Sequence, residues 1–232
     1  MITLIVAQDE LVGGTVTVSG DAYRHLFRAR RAAVGERVRL VDGFGLARWG
    51  VIARAGRETG EILVGEAAPA NDPVLEVDLL VPLPKPDRLS WLVEKASELG
   101  VRRLRFVSSA RAPRELGSGA LERLRRVAAS ALEQCHGSRL PEISGVHPWS
   151  ERESWADSTA QRFVLQPGSP ALAAIDAGRG PVALLVGPEG GFDPNEIAEL
   201  EAEGWQRRGL GVRVLRLETA AILGAGTLLA AT

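Results

Sequence analysis

Apolar and polar positions alternate through the first 68 residues. Ile2-Leu4-Val6, Val16-Val18, Val38-Leu40 and Ile62-Val64 each set aliphatics two apart among polar neighbours, the period of a half-buried strand. Turn chemistry separates them at Val12-Gly13-Gly14-Thr15, Asp42-Gly43-Phe44-Gly45 and Glu58-Thr59-Gly60, where glycine permits tight reversals. Asp21 to Ala32 predicts a helical turn or more between strands. Short strands at this spacing predict a small barrel, and Ala67 to Pro73 reads as a linker. The division expected is one domain over 1–70 and a second over 74–232.

From residue 74 the period changes. Val74 to Val81 is strand-like. Pro86 to Leu99 is a helix with Leu89, Leu92, Val93, Ala96 and Leu99 at helical spacing and Gly100 as its stop. Leu104 to Val107 is the next strand, and Leu121 to Cys135 a second helix with Leu121, Leu124, Ala128, Ala131, Leu132 and Cys135 on one stripe. Strands follow at Phe163 to Leu165 and Val182 to Val186, then a helix from Pro194 to about Glu203 and a closing apolar helix from Thr219 to Ala230. Strands alternating with helices imply an α/β domain with a mainly parallel sheet covered on both faces.

Composition narrows the class. At 45% hydrophobic and 25% charged over 232 residues, the chain has the content of an ordinary globular protein. The start MITLIVAQDE lacks the basic, long-apolar character of a signal peptide, and no apolar run approaches the ~20 residues of a membrane span. One cysteine, Cys135, and scattered His25, His136 and His147 give no disulfide framework and no metal spacing. The expectation is a cytoplasmic, metal-free protein.

A net charge of −1 argues against indiscriminate coating of nucleic acid, yet arginine is clustered. Arg24, Arg28, Arg30 and Arg31 form one group, Arg102, Arg103, Arg105, Arg111 and Arg114 a second, and Arg123, Arg125 and Arg126 a third. Each serves either as an ion-paired face or as phosphate contact, for which the guanidinium fork is suited. Of the 28 basic side chains two are lysines, Lys85 and Lys95, which points to a site wanting a compact ammonium.

The sharpest local feature is LLVGPEGGFDPNEI, residues 184–197. A short strand enters a loop with three glycines, and Asp193, Pro194 and Glu196 then open a helix as N-cap, first residue and capping-box partner. The loop lacks the lysine and hydroxyl of a phosphate loop and the spacing of a dinucleotide loop, and Glu189 would repel phosphate. It serves either backbone geometry alone or a ligand with a cationic centre and donor groups.

A second glycine loop lies in LGVRVLRLETA, residues 210–220. With GPEGGF at 187–192, KPDRLSWLVEKASELGV at 85–101, EQ…RLPEI at 133–143 and the weaker HLFRARRAAVGERVRLVDGFG at 25–45, the chain resembles the RsmE family of ribosomal RNA methyltransferases within the SPOUT superfamily. These stretches follow family order over nearly the whole chain. The resemblance implies a C-terminal α/β trefoil-knot domain, a small N-terminal PUA-like β-barrel for RNA, a homodimer, S-adenosyl-L-methionine as cofactor, and methyl transfer to N3 of a uridine in 16S rRNA of the small ribosomal subunit. No periodicity argument could find a knot, since knots are so rare.

Carried over by position, Leu165, Gly187, Glu189, Gly190, Gly191, Leu210, Gly211, Val214, Leu215, Leu217 and Thr219 would hold the cofactor. Arg28, Arg31, Lys85, Arg88, Lys95 and Gln134 would face RNA, with Glu98 bracing the site. Glu218 and Thr219 would organise the loop or the uracil pocket, or cap the last helix. Glu94 and Glu98, like charges four apart, imply a tertiary partner for one of them. Cys135-His136-Gly137-Ser138, Arg30 and Leu217 depart from the family pattern and bear on RNA contact more than on the cofactor.

Uracil N3 carries a proton that must leave before or during attack, so a base or an anion-stabilising group is required. Arg216 would stabilise the developing anion. Glu189 or His136 would accept the proton, and the sequence does not choose between them. Two other readings are another knotted RNA methyltransferase, acting on tRNA or a ribose hydroxyl, and a non-catalytic RNA-binding assembly factor, whose cofactor loops would be damaged.

Overall fold

A computed structural model describes residues 1–108, 115–173 and 180–230. The chain splits into two compact units, Met1–Asp72 with Ala129–Leu140, and Pro73–Ala128 with Pro141–Thr232. Residues 129–140 thus cluster with the first unit, whereas the sequence pattern alone counts them with the second.

The first unit contains β1 (Thr3–Ile5), α1 (Gln8–Gly13), β2 (Thr15–Val18), α2 (Gly20–Tyr23) running into a π-helical turn (Arg24–Ala29), β3 (Arg37–Val41), β4 (Ala47–Ala55) and β5 (Gly60–Ala67). Its sheet has the order β1-β3-β4-β5-β2, with β1 parallel to β3 and the other pairs antiparallel. Leu4, Val16, Leu26, Val38, Leu40, Ile52 and Ile62 meet in one core, each such side chain contributing about 1.5–3 kcal/mol by burial.

Two elements here escape the sequence pattern. In α1 the sole buried residue is Leu11, too few for a helical period to show. The longest strand, β4, carries Gly50 where an added Cβ would stand 2.7 Å from Ile62 and 2.8 Å from Leu40, and its pairing with β5 shifts register twice. Close packing and bulges erase the simple alternation.

Residues 129–140 are held to this unit by specific bonds. Leu132 packs with Val41 and Ala47, and Glu133 accepts from the Ile5 N–H at 3.2 Å. The buried Arg39 guanidinium donates to Ser138 Oγ (2.6 Å) and the Pro69 carbonyl (2.7 Å). Asp72 Oδ1 accepts from the N–H groups of Ser138 and Arg139 at 2.8 and 3.0 Å. His136 takes a left-handed φ of 62° just after the helix end, with its Nδ1 2.8 Å from Thr3 Oγ1.

The second unit runs β6 (Val77–Pro82), α3 (Pro86–Leu99), β7 (Arg103–Val107), α4 (Ala120–Cys135, counted with the first unit from Ala129), β8 (Glu142–His147), a 3-10 helix (Trp149–Ser154), β9 (Gln161–Leu165), β10 (Val182–Val186), α5 (Pro194–Ala202), β11 (Gln206–Arg208) and α6 (Leu217–Leu229). Six strands form a parallel sheet of order β11-β9-β10-β6-β7-β8. The central strands β6 and β10 are buried along their whole length, as a parallel sheet covered on both faces requires. α3 ends at Gly100 (φ 77°), and α6 packs on α3, β6 and β10. Missed by the pattern are β8, β11 and the 3-10 helix. Both strands are edge strands: β8 has one buried residue among six, and β11 is three polar residues long.

The strand order sets the place of the site. The chain builds β6, β7 and β8 outward in one direction, then returns to lay β10 and β9 on the other side of β6. In such sheets a crevice opens beyond the C-terminal strand ends, at the switch point.

Candidate active site

Beyond those ends lies a cavity of about 430 Å³, bounded by Leu165–Pro167, by Val186–Phe192 with Ile197, and by Leu210, Gly211, Arg213–Leu215, Leu217 and Ala220. That volume is in the range of sites for small organic ligands. Three loops make its walls, and each is fixed by a different device.

The first follows β10. The Gly191 N–H closes a turn on the Pro188 carbonyl at 2.8 Å, and Gly191 adopts φ 69°. Asp193 Oδ1 then accepts from the N–H groups of Asn195 (2.8 Å) and Glu196 (3.0 Å), while Glu196 accepts from the Asp193 N–H at 2.9 Å. This is the capping box expected from the sequence, and it anchors the loop's far end. Phe192 lies under Gly187, where an added Cβ would meet the ring at 3.3 Å, and its ring sits 5.9 Å from that of Trp149.

The second follows β11. Gly211 takes φ 104° with open space where a Cβ would be. Val212 and Val214 are exposed, at 103% and 82%, and the loop ends at Arg216, the N-cap of α6. The third is 166–172, stitched to the second by backbone bonds: Gln166 N–H to Arg208 carbonyl (2.8 Å), Gly209 N–H to Pro170 carbonyl (2.7 Å) and Leu172 N–H to Gly209 carbonyl (2.8 Å). A Cβ at Gly209 would stand 2.6 Å from the Ser169 carbonyl oxygen, so that crossing depends on glycine. No residue of 166–172 is among the contacts that the resemblance implies; Leu165, just before it, is.

Leu165, Gly187, Glu189, Gly190, Gly191, Leu210, Gly211, Val214, Leu215 and Leu217 all line this one cavity, although 52 positions separate the first from the last. Thr219 and Arg216 are absent from the lining. The reason is that α6 begins at Leu217 rather than Thr219, which turns Thr219 outward on the first turn. Glu218 and Thr219 therefore do not cap the helix. Glu218 is buried and faces Arg88 at 3.8 Å.

Gln166, Pro167, Val186, Pro188, Phe192, Ile197, Arg213 and Ala220 complete the lining and are not among the predicted contacts. Phe192 and Arg213 stand inside the two glycine motifs, so the motifs contained a signal for them. Gln166 had none. Its amide oxygen is buried and has no hydrogen-bond partner among the described residues.

The residues expected to face RNA are scattered. Arg28 and Arg31 are exposed in the first unit and carry no ion pair among the described residues. Gln134 is exposed near the end of α4, and Lys85 is the exposed N-cap of α3. Arg88 pairs with Asp87 (3.3 Å) as well as Glu218. Lys95 sits between Glu94 (2.7 Å) and Glu98 (2.8 Å), whose hydrogen bonds hold its ammonium above the ordinary lysine value. Glu94 and Glu98 thus share a local lysine, not the tertiary partner their spacing implied. Arg111 and Arg114 lie outside the described residues.

Comparison with known proteins agrees with this architecture. Residues 70–229 match the family model of an RNA methyltransferase domain. The chain is 31% identical to ribosomal RNA small subunit methyltransferase E of Mycobacterium bovis, over 97% of this chain and 91% of that one. The crystal structure of ribosomal RNA small subunit methyltransferase E from Neisseria gonorrhoeae, bound to S-adenosyl methionine, superposes with a TM-score of 0.88 at 25% identity, covering 100% and 98% of the two chains. A probable rRNA-methyltransferase from Porphyromonas gingivalis gives 0.82 at 27% identity, covering 100% and 99%.

Proposed function

The chain belongs to the ribosomal RNA small subunit methyltransferase E family, and on that footing we propose that it methylates N3 of a uridine in 16S rRNA with S-adenosyl-L-methionine as methyl donor. The observation that carries the reading is the convergence of both family glycine loops on one cavity at the switch point of a parallel sheet.

The residues present fit that donor. Gln166 offers an unpartnered buried amide oxygen to an amine or hydroxyl. Leu165, Leu210, Leu215 and Leu217 give apolar walls for a flat ring, and Glu189 gives the lining a carboxylate suited to a cationic centre. Gly191 and Gly211 leave open space where side chains would project. When bound, the donor supplies a methyl group on a positively charged sulfur.

The protein's own part is to orient the uracil and to manage the N3 proton. Glu189 lines the cavity, whereas His136 belongs to the first unit and has its Nδ1 beside Thr3 Oγ1. We therefore assign the proton to Glu189. Arg216, exposed at the start of α6 between the lining residues Leu215 and Leu217, is assigned to the uracil anion.

The same reading carries the finer architecture. A trefoil knot is proposed for the segment holding the two glycine loops, and a PUA-like barrel for the first unit. A homodimer is supported by Trp91 on α3 and Leu223 on α6, which remain 40% and 47% exposed on helices that pack together. Among the described residues no helix is long and apolar enough to cross a membrane; a cytoplasmic location and action on 16S rRNA within the small subunit are part of the proposal.

The test is nucleoside mass spectrometry of rRNA treated with the wild type and with Gly190→Val, paired with calorimetry for the donor. The wild type is expected to yield 3-methyluridine and the variant neither product nor donor binding, because a branched side chain fills the cradle. Unchanged donor affinity in the variant would remove the loop from the site. A different methylated nucleoside would replace the substrate, and a one-chain mass in light scattering would exclude the dimer.

A further inference from the structure

We propose that Phe44 and Arg139 form a subsite for one unstacked base of single-stranded RNA and its phosphate, a deepening that rests on the RNA-methyltransferase reading above. Phe44 is 75% exposed. A lone exposed apolar side chain needs no explanation, but this one is mounted on an unusually fixed turn.

Asp42, itself buried, accepts from the N–H groups of Phe44 (2.8 Å) and Leu46 (3.0 Å) through one oxygen. Its own N–H donates to the Leu46 carbonyl at 3.2 Å. Gly43 and Gly45 flank the ring at φ 80° and 112°, which other residues rarely adopt. The Gly45 N–H donates to the Ser138 carbonyl (3.1 Å), and the Leu140 N–H to the Gly43 carbonyl (2.8 Å). The ring is thus presented to solvent with its backbone ordering already complete, which lowers the entropy cost of binding.

Arg139 supplies the second half. Its backbone bridges both Gly43 and Phe44, and its Nη2 would lie 2.9 Å from a Cβ at Gly45, so the guanidinium rests on the same turn. The side chain is exposed and has no ion pair among the described residues. A flat apolar ring beside an unpaired planar cation matches a nucleotide, by stacking on the base and a fork on the phosphate. An apolar pocket on a protein would accept the ring but has no use for the cation.

The experiment uses the full chain and a single-stranded RNA of about ten nucleotides with one 2-aminopurine, whose fluorescence reports stacking. Phe44→Ala is expected to weaken binding roughly 5- to 100-fold and to abolish the stacking quench. Phe44→Trp should retain both, and Phe44→Leu should behave like alanine. Arg139→Ala should weaken binding and lower the salt slope by about one unit. Leucine binding like phenylalanine, or loss of affinity for small subunits without loss for the RNA, would mean a protein contact and overturn the proposal. If the wild type binds RNA and forms 3-methyluridine while Phe44→Ala binds equally well, this subsite fails alone. A wild type that neither methylates nor binds RNA brings down both readings.

Discussion

In β7, Arg103 reaches Asp78 at 3.0 Å, Asp157 at 3.0 Å and Glu142 at 3.3 Å, and its neighbour Arg102 reaches Glu76 at 3.0 Å. Arg105 donates to the carbonyls of Ser154 and Trp155. At the end of the π-helical turn, by contrast, Arg28, Arg30 and Arg31 are exposed and make no ion pair among the described residues, while Arg24 pairs locally with Asp21. Equal density of guanidinium therefore has opposite uses. Where a strand meets carboxylates on its neighbours, arginine is mortar between elements. Where a helix end offers none, the charge stays available for a phosphate.

The largest effect expected from this contrast is in Arg103→Ala. Asp78 is 3% exposed, and removing its partner leaves a buried carboxylate uncompensated, a loss of about 3 kcal/mol or more. Burial already pushes the Asp78 carboxyl up, against the pull of Arg103, so the variant favours the protonated acid further. A carboxyl raised in the folded state stabilises below its unfolded pKa and loses that contribution as pH rises. The deficit in thermal unfolding should thus grow from acid to neutral pH, with RNA affinity unchanged. Stability equal to the wild type would dissolve the distinction between the two clusters.

The next effect is in the double variant Arg28→Ala with Arg31→Ala. It should unfold like the wild type and bind the methyl donor normally. RNA binding should weaken, and its salt slope should flatten by up to about two units. Loss of donor binding with normal RNA affinity would reverse the roles assigned to the two units.

The smallest effect concerns His136. Burial, then the N-terminus, Arg39 and Arg30, lower its pKa from the usual 6.5. Below that value the unfolded chain takes up more protons than the folded one, so stability falls as pH drops through this window. His136→Asn keeps a residue tolerant of the left-handed backbone but cannot titrate. Its melting temperature should vary less than the wild type's between about pH 5 and pH 8. An identical pH profile would clear His136 of the effect.

What could be read beforehand follows the physics of each element. α3 and α4 bury long stripes, and α5 announces itself by Asp193, Pro194 and Glu196, so their positions were expected to within a few residues. β8, β11 and α1 bury too little to leave a period, and β4 hides behind Gly50. At the site, the two glycine loops were visible because backbone constraints are written in glycine and proline. The wall at 166–172 was not. It is held by main-chain bonds to residues 208–209, whose one sequence requirement is the glycine at 209, and Gln166 acts through a buried oxygen that no motif marks.

Gly224 in α6 stands where a Cβ would lie 2.9 Å from Leu184 Cδ2, 3.0 Å from Leu165 Cδ1 and 3.8 Å from Leu210 Cδ1. Leu165 and Leu210 are wall residues of the cavity. A glycine inside a helix sacrifices about 1 kcal/mol relative to alanine, and here that sacrifice lets the helix backbone press directly on the leucines. A single methyl at 224 would force Leu184 and Leu165 to shift, while Leu210 would stay in ordinary contact. The seat of one wall leucine, Leu165, is thus set from behind, by a residue that borders no part of the cavity.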